Sequence, residues 1–382
     1  MKVSCITSVV VVLISLLTFG AQAACIEVNS VNTPGDATAE FVISQPGSYC
    51  VPSNIVGVSG KSAIRIDSDS VTLDLGGFAL LGVGGSLSGI LINTHVHVAV
   101  RNGSITGWGI NGLDGGTSGL ARIDDLRADA NAGVGISINS GSQVNNCVAS
   151  QNGGVGIGSS NDVLVTSCVS SINGSHGFQL GGGSTLKSCL AYDNGGAGFT
   201  TSSVASLTII DCNAHFNTGF GIAGPKRTFV TSSTAEENRS GGISVGTSST
   251  VSNCNAGGNT GVGILASAGS AVTACTASAN TADGIQVDNL SRVEDNTCQG
   301  NGASGGDGAG VHATGRINRI DGNMTTQNDR GVDIDAGGNL VVRNDASLNG
   351  TNFDIAAGNT NANVESPGPN FILTRPWANF IH

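Results

Sequence analysis

The sequence predicts an all-β protein that folds as a single parallel β-helix, a solenoid in which short strands stack on one another. The first observation is that 59 of the 382 residues are glycine, and each glycine inside a helix would cost about 0.5–1 kcal/mol relative to alanine. The second is that 39% of the residues are hydrophobic and only 11% are charged, which does not fit a disordered chain. The third is an asparagine that recurs every 21 residues over most of the chain. Stacked short strands joined by glycine-rich turns satisfy all three observations.

The repeat is defined by a column of asparagines 21 residues apart, with one step of 23 and one of 27. A glycine stands four residues after each of the first eight, and isoleucine or phenylalanine follows it. When copies of one segment stack in parallel about 4.8 Å apart, an asparagine at a turn can bond its amide to the turns above and below. We therefore predict an asparagine ladder, with the glycines supplying the unusual backbone angles of the bend. The asparagines are Asn131, Asn152, Asn173, Asn194, Asn217, Asn238, Asn259, Asn280, Asn301, Asn328 and Asn349.

Two further columns define the inner side of a short strand. A cysteine stands five residues before the asparagine in six copies, and a small residue, usually alanine, stands three residues before it. Side chains two positions apart point to the same side of a strand, so both columns should face the core. We interpret the cysteines as buried small hydrophobic residues, because no CxxC or Cys/His spacing of a metal or redox site accompanies them. The cysteines of the two columns are Cys147, Cys168, Cys189, Cys212, Cys254, Cys275 and Cys298.

The first residues have the pattern of an export signal. Residues 1–23 contain a basic start, an apolar run and a small-residue cleavage motif that ends at Ala23. The run is shorter than the roughly 20 residues that span a bilayer, so we expect a secreted, periplasmic or cell-surface protein without membrane insertion. In an oxidising compartment Cys25 and Cys50 should form a disulfide. Lipidation of Cys25 is the alternative, but Gln22 stands where lipoprotein signals usually carry leucine.

The repeats divide the chain into parts. An N-terminal cap would cover the open strand edges of the first coil, and a tail would fold over the other end. The eleven asparagine copies and two longer upstream copies, which begin near Val71 and Val98, give about thirteen coils. The expected parts are the signal peptide 1–23, the N-terminal cap 24–62, the β-helix repeats 63–356 and the C-terminal tail 357–382.

Four segments also carry a family resemblance: Ala63-Ile-Arg-Ile66, Val71-Thr-Leu-Asp-Leu-Gly-Gly77, Val100-Arg-Asn-Gly-Ser-Ile-Thr-Gly-Trp-Gly109 and Pro376-Trp-Ala-Asn-Phe380. Together with the repeats, they resemble the secreted bacterial right-handed parallel β-helix proteins of the pectate-lyase-like superfamily. The resemblance implies a right-handed coil. Members include polysaccharide lyases, epimerases, glycosidases and proteins without known chemistry, so it also implies a polysaccharide partner and leaves enzyme activity open. The Asp-Pro-His-Asp run of uronate epimerases is absent, and only Ser175-His176-Gly177 is similar to the Gly-His-Gly of polygalacturonases.

The outward positions of the repeats are where a site would lie. Two residues before the asparagine, three consecutive copies place Tyr192, His215 and Glu236 above one another. We predict that His215 is a general acid or base, that Glu236 partners it and that Tyr192 stacks on a sugar. The alternative is a chance cluster on an ordinary surface. Further predicted site residues are Asn213, Thr234, Asn255, Lys187 and Asp193 for substrate binding, and Arg227 and Arg239 for stabilising developing negative charge.

Two other groups contain residue types that bind metals. His95 and His97 would share one strand face, but no third ligand is readable, so exposed strand histidines are the simpler interpretation. Asp329, Asp333 and Asp335 would suit calcium, although neither the EF-hand spacing nor the nonapeptide calcium repeat is present. We therefore predict no cofactor, with calcium as the alternative at these aspartates.

The net charge of the chain excludes some classes of ligand. The chain has 16 basic and 27 acidic residues and a net charge of −11, so it lacks the positive surface of a nucleic-acid-binding protein. The shortage of cations also disfavours a strongly anionic substrate, whereas a neutral glycan suits the Asn/Thr positions. We expect an extracytoplasmic protein that interacts with polysaccharide, with processing by a lyase, epimerase or glycosidase reaction left open. The alternative is a non-catalytic structural or surface component of the envelope. The sequence does not indicate an oligomeric state.

Overall fold

The computed structural model describes residues 25–302, 308–366 and 375–382, so the expected export signal lies outside the described residues. Within these ranges the regular structure consists of strands, and no helix is present. No helix in the described part of the chain could therefore cross a membrane. The strands of successive coils pair in parallel. The predicted all-β parallel coil is confirmed.

One side of the coil is a parallel sheet of fifteen described strands, which we call the first face. Its side chains alternate between core and solvent: in Ile136–Ile138 both isoleucines are buried and Ser137 faces outward. The strands are Ala39–Ile43, Ser62–Ile66, Ile90–Ile92, Leu113–Asp114, Ile136–Ile138, Ile157–Ser159, Phe178–Leu180, Phe199–Thr201, Phe220–Gly224, Gly241–Val245, Ile264–Ala266, Ile285–Val287, Ala309–Ala313, Arg330–Ile334 and Thr351–Ile355.

The first face has more levels than the repeat count of about thirteen predicted. That count began near Val71, but Ala39–Ile43 pairs with Ser62–Ile66 and already belongs to the sheet. In the same segment Gly47–Cys50 pairs with Val71–Asp74. The described residues of the expected N-terminal cap, 25–62, therefore contribute strands to the coil, although they lack its asparagine column.

A second sheet forms the two remaining sides. From Gln143 onward each coil contributes two short strands separated by a short bend, and we call the rows of first and second strands the second face and the third face. The second face contains Gln143–Asn145, Leu164–Thr166, Thr185–Lys187, Thr208–Ile210, Phe229–Thr231, Thr250–Ser252, Ala271–Thr273, Arg292–Glu294, Arg319–Asp321, Leu340–Val342 and Thr360–Asn361. The third face contains Val148–Ser150, Val169–Ser171, Leu190–Tyr192, Asn213–His215, Thr234–Glu236, Asn255–Gly257, Thr276–Ser278, Thr297–Gln299, Met324–Thr326, Asp345–Ser347 and Asn379–Phe380. The other strands of this sheet are Ile26–Glu27, Gly47–Cys50, Ile55–Val56, Val71–Asp74, Ala79–Leu81, Ala99–Thr106, Arg122–Asp129 and Val364–Glu365.

The core runs along the axis, because the register places like residues above one another. On the second face Val144 pairs with Val165, which in turn pairs with Leu186. Inside the first face the rings of Phe178 and Phe199 stack with their centroids 5.0 Å apart. All five side chains are buried. Each coil thus covers the apolar residues of the next, and no single repeat needs a core of its own.

The predicted asparagine ladder is present at the corner between the third and first faces. The backbone N–H and the Nδ2 of Asn152 both donate to Oδ1 of Asn173, each at 3.0 Å. The same Nδ2 donates to the carbonyl of Ala128 in the preceding coil at 3.0 Å. This corner leaves backbone groups unpaired within its own coil, and the buried amides satisfy them.

Two further ladders occupy the other two corners, and the sequence did not predict them. At one corner the backbone N–H of Ser249 donates to Oγ of Ser270, and that of Ser291 donates to Oδ1 of Asn318. At the other corner the N–H of Cys147 donates to Sγ of Cys168 at 3.4 Å, and the N–H of Cys212 donates to Oγ of Ser233 at 3.2 Å. The buried cysteines are therefore hydrogen-bonding ladder members as well as small core residues.

The glycines after the asparagines serve a different purpose from the one expected. The positive φ angle of the bend belongs instead to the residue before the asparagine, such as Ile172 at 56° and Phe216 at 56°. A Cβ atom added to Gly177 would lie 2.7 Å from the carbonyl oxygen of Gly198 and 2.8 Å from Nδ2 of Asn194. Glycine is required here because the next coil leaves no room for a side chain.

Specific contacts hold both ends of the coil in place. A disulfide joins Cys25 and Cys50, with their Cα atoms 5.7 Å apart. At the other end, Asn379 of the tail accepts a hydrogen bond from the backbone N–H of Asn344 at 2.9 Å. The guanidinium of Arg343 lies 5.3 Å from the ring centre of Trp377, within the range of a cation–π contact. The tail thus adds one more level to the third face.

Candidate functional site

The structure brings the three predicted central residues into register on the third face. Tyr192 pairs with His215, and His215 pairs with Glu236, each as the last residue of its strand. Alanine precedes each of them and is buried. Because side chains alternate along a strand, Tyr192, His215 and Glu236 point outward.

The contacts within this column join acid, base and amide. Nδ1 of His215 lies 3.7 Å from Oε2 of Glu236, which is within ion-pair range and longer than a direct hydrogen bond. Nδ2 of Asn255, one coil further on, donates to Oε1 of Glu236 at 2.6 Å. The carboxylate is therefore held between the imidazole and an amide, while the imidazole stays half-buried.

Phe216 enlarges the aromatic part of this surface, and the sequence interpretation did not include it. Its ring meets that of Tyr192 edge to face, with the centroids 5.7 Å apart, and both residues are exposed. The left-handed backbone at Phe216 turns its side chain outward at the corner. We call Tyr192, His215, Phe216, Glu236 and Asn255 the third-face cluster.

The other predicted binding residues lie around this cluster at different depths. Asn213, Thr234 and Asn255 are in register as the first residues of their strands and form an outward polar row. Asp193 follows Tyr192 directly and lies in the corner. Lys187 ends a strand of the second face and is exposed there.

The two predicted arginines lie at different corners of the coil. Arg227 lies at the corner before the second-face strand Phe229–Thr231, so two strands separate its corner from that of Glu236. Arg239 is nearer, since it follows Asn238 in the corner beside the cluster, where its backbone N–H donates to Asn217. Within the described ranges neither arginine forms an ion pair with Glu236.

A second group of ionisable residues lies on the first face. His312 and Asp333 are in register on adjacent strands, and both point outward. Asp283 and Asp335 contact the same imidazole from the neighbouring corner and from the end of the next strand. We call Asp283, His312, Asp333 and Asp335 the His312 cluster.

The imidazole of His312 is held between carboxylates. Its Nδ1 lies 2.9 Å from Oδ2 of Asp283, and its Nε2 lies 3.1 Å from Oδ2 of Asp335 and 3.9 Å from Oδ2 of Asp333. Burial disfavours the charged imidazole, but the three carboxylates, Asp283 first, outweigh it and raise the pKa of His312 to about 9. Burial also raises the pKa of Asp333, whose counter-charges are His312 and Arg330.

The two predicted metal groups differ from their expected arrangement. Asp333 and Asp335 group with His312 rather than with Asp329. His95 and His97 lie between strands, not on a strand face. The Nδ1 of His95 pairs with Oδ1 of Asp69 at 3.0 Å.

Residues 88–224 and 216–323 match the family described as the right handed beta helix region. The chain belongs to this family of right-handed parallel β-helices. This match confirms the right-handed parallel β-helix that the sequence resemblance implied. No curated protein matches the chain significantly.

Several solved structures are similar to this chain at low sequence identity. The Azotobacter vinelandii mannuronan C-5 epimerase AlgE4 A-module is 14% identical, with 83% of this chain and 91% of that chain covered and a TM-score of 0.45. The periplasmic alginate epimerase AlgG is 11% identical, with 93% and 80% covered and a TM-score of 0.37. Pectate lyase Pel9A is 16% identical, with 80% and 71% covered and a TM-score of 0.31.

The spacing of the sequence could have revealed part of the His312 cluster. His312, Asp333 and Asp354 follow one another at intervals of 21 residues. They therefore form an outward column on the first face, as Tyr192 and His215 do on the third face. The sequence interpretation grouped Asp333 with Asp329 and Asp335 and did not include His312. Asp283 gives no such signal, because it belongs to a corner, and its place depends on how the chain turns there.

Proposed function

We propose that this protein binds a neutral polysaccharide along its third face, with the third-face cluster as the centre of the binding surface. The observation that carries the proposal is the outward column Tyr192–His215–Glu236 beside the polar row of Asn213 and Thr234. Aromatic rings offer an apolar surface to the C–H face of a sugar. Amide, hydroxyl and carboxylate groups beside them can bond the sugar hydroxyls.

Repetition and charge also support this proposal. Strands of the third face lie about 4.8 Å apart, so the row of polar residues extends along the axis and suits an extended chain better than a single sugar. The cluster carries the Glu236 carboxylate and lacks a paired arginine in the described part of the chain. A net charge of −11 adds to the repulsion of acidic glycans.

We also propose that the protein acts outside the cytoplasm. The disulfide between Cys25 and Cys50 is of a kind that persists in oxidising compartments. It lies directly after the segment with the pattern of an export signal, in agreement with that location.

The proposal is tested with a glycan array followed by calorimetric titration of the oligosaccharide that binds best. Tyr192→Ala and Glu236→Gln should each weaken binding about tenfold or more, which corresponds to about 1.4 kcal/mol. Phe229→Ala is the matched control, because Phe229 is an exposed aromatic residue of the second face and its loss should leave the affinity unchanged. A reducing-sugar assay and an ultraviolet screen for unsaturated uronates on the same glycans would report turnover.

Two outcomes would contradict the proposal. If no neutral glycan binds, the structural alternative of a rigid envelope component is favoured. If a glycan binds but the Tyr192 and Glu236 variants match the wild type, the binding surface lies elsewhere on the coil.

A further inference from the structure

We propose that the His312 cluster is a binding site for one divalent transition-metal ion, with Nε2 of His312 and one carboxylate oxygen each from Asp333 and Asp335 as ligands. This site lies on the first face and is independent of the proposed glycan surface on the third face. The three ligand atoms already lie within 4.8 Å of one another.

The distances between the ligand atoms suit a first-row ion. Two ligands about 2.0–2.2 Å from such an ion lie roughly 3.0–3.5 Å apart in octahedral or tetrahedral geometry. Nε2 of His312 is 3.1 Å from Oδ2 of Asp335 and 3.9 Å from Oδ2 of Asp333. The first distance fits directly, and the second requires only a small movement of the Asp333 carboxyl group.

Asp283 provides the support that a metal-bound histidine needs. Ligating histidines almost always donate the other ring N–H to a carboxylate or carbonyl, which fixes the ring and its tautomer. Oδ2 of Asp283 lies 2.9 Å from Nδ1 of His312, and its Oδ1 accepts the backbone N–H of Ala309 at 2.7 Å. Asp283 is 5% exposed, so the carboxylate is fixed from behind and directs Nε2 away from itself, toward Asp335.

The local charge also favours a dication. The carboxylates of Asp283, Asp333, Asp335 and Asp354 lie around one imidazole and the guanidinium of Arg330, which pairs with Asp333 and Asp354 at 3.0 and 3.1 Å. A bound dication would reduce the repulsion among these four carboxylates.

The ligand set indicates the class of metal. One imidazole and two carboxylates suit Mn²⁺, Fe²⁺, Co²⁺ or Zn²⁺, whereas Ca²⁺ and Mg²⁺ prefer oxygen ligands alone. Three protein ligands leave at least one coordination position to solvent, as in metal sites that bind a water or a substrate hydroxyl. The Asp335 side chain is 54% exposed, so that position opens to the outside of the coil.

The test uses tag-free protein dialysed against EDTA and titrated with Mn²⁺, with free Mn²⁺ measured by electron paramagnetic resonance. Mn²⁺ is the first probe because it binds thiolates poorly, so the buried cysteines do not compete. We expect one ion per chain with micromolar or tighter affinity. His312→Ala and Asp335→Asn should weaken binding roughly a hundredfold, and Asp283→Asn about 10–100-fold.

Matched controls separate metal binding from folding. Asp69→Asn removes another histidine–carboxylate pair, in which His95 lies 3.0 Å from Asp69, and should leave the Mn²⁺ affinity unchanged. Asp335→Asn alters an exposed side chain, so its urea midpoint in EDTA should match that of the wild type. The proposal is wrong if the wild type binds no Mn²⁺, if the His312 and Asp335 variants bind like the wild type, or if Ca²⁺ displaces Mn²⁺ at equal concentration. None of these results depends on glycan binding.

Discussion

Nδ2 of Asn301 donates to Oδ1 of Asn328 at 2.9 Å across 27 residues of sequence. Asn280 makes the same bond to Asn301 at 2.9 Å across 21 residues. The two bonds have the same length although the second coil is six residues longer, so the stacking distance stays the same. Contact between coils, rather than sequence spacing, is the conserved quantity in this fold.

The ladder should contribute strongly to stability at each level. Asn173→Ala would leave the backbone N–H of Asn152 and the carbonyl of Ala149 without their buried partners. We expect a loss of about 3 kcal/mol in the free energy of unfolding, measured by urea denaturation. Asn213→Ala is the control, since Asn213 is exposed and its loss should change stability by less than about 0.5 kcal/mol. If both substitutions lowered the free energy of unfolding equally, the ladder bonds would contribute no more to stability than an exposed asparagine.

The glycines after the asparagines should tolerate no side chain. In Gly177→Ala the new Cβ would lie 2.7 Å from a backbone oxygen of the next coil, so the coils must move apart at an expected cost of about 2–3 kcal/mol. Gly84→Ala is the matched control, because no atom lies within 4 Å of a Cβ at that position. A thermal melt of both variants distinguishes the two cases, and a Gly177→Ala protein as stable as the control would contradict the packing explanation.

The cysteine column should accept serine better than alanine. Cys168→Ser keeps an acceptor for the backbone N–H of Cys147, as Ser233 does for Cys212 in the same column. Cys168→Ala removes the acceptor and leaves a buried N–H unpaired, so we expect it to be less stable than Cys168→Ser by about 1–2 kcal/mol. Urea midpoints of the two variants, measured under reducing conditions, test this order. If Cys168→Ala were the more stable variant, the cysteine column would act only as a set of hydrophobic core residues.

Acid should weaken the C-terminal coils through Asp321, whose side chain is 1% exposed. Burial opposes ionisation, but Arg343 and Arg319, each 2.6 Å away, outweigh it and hold the pKa of Asp321 below its usual value. A carboxylate with a lowered pKa in the folded state stabilises the fold above its unfolded pKa, and this contribution is lost as the pH falls.

The test compares the wild type with Asp321→Asn. At neutral pH we expect the variant to be less stable by about 1–3 kcal/mol, and the difference should shrink once the pH falls below about 4. Urea midpoints measured between neutral and acidic pH give both numbers. A difference that stays constant or grows on acidification would show that Asp321 is not ionised in the folded protein.

Sequence alone was sufficient for the coil, its asparagine ladder, and the outward column of Tyr192, His215 and Glu236. The reason is periodicity: parallel stacking places residues one repeat apart above one another, so a column in the alignment becomes a column in space. The same period places His312 beside Asp333 on adjacent strands of the first face.

Only the tertiary structure decided which residues meet across corners and between coils of unequal length. Phe216 contacts Tyr192 because a left-handed residue turns the chain at that corner. Asp283 reaches His312 although 29 residues separate them. The space beside Gly177 is likewise closed by the next coil and not by its own turn. These contacts depend on side-chain direction and on the path of each corner, which the 21-residue period leaves undetermined.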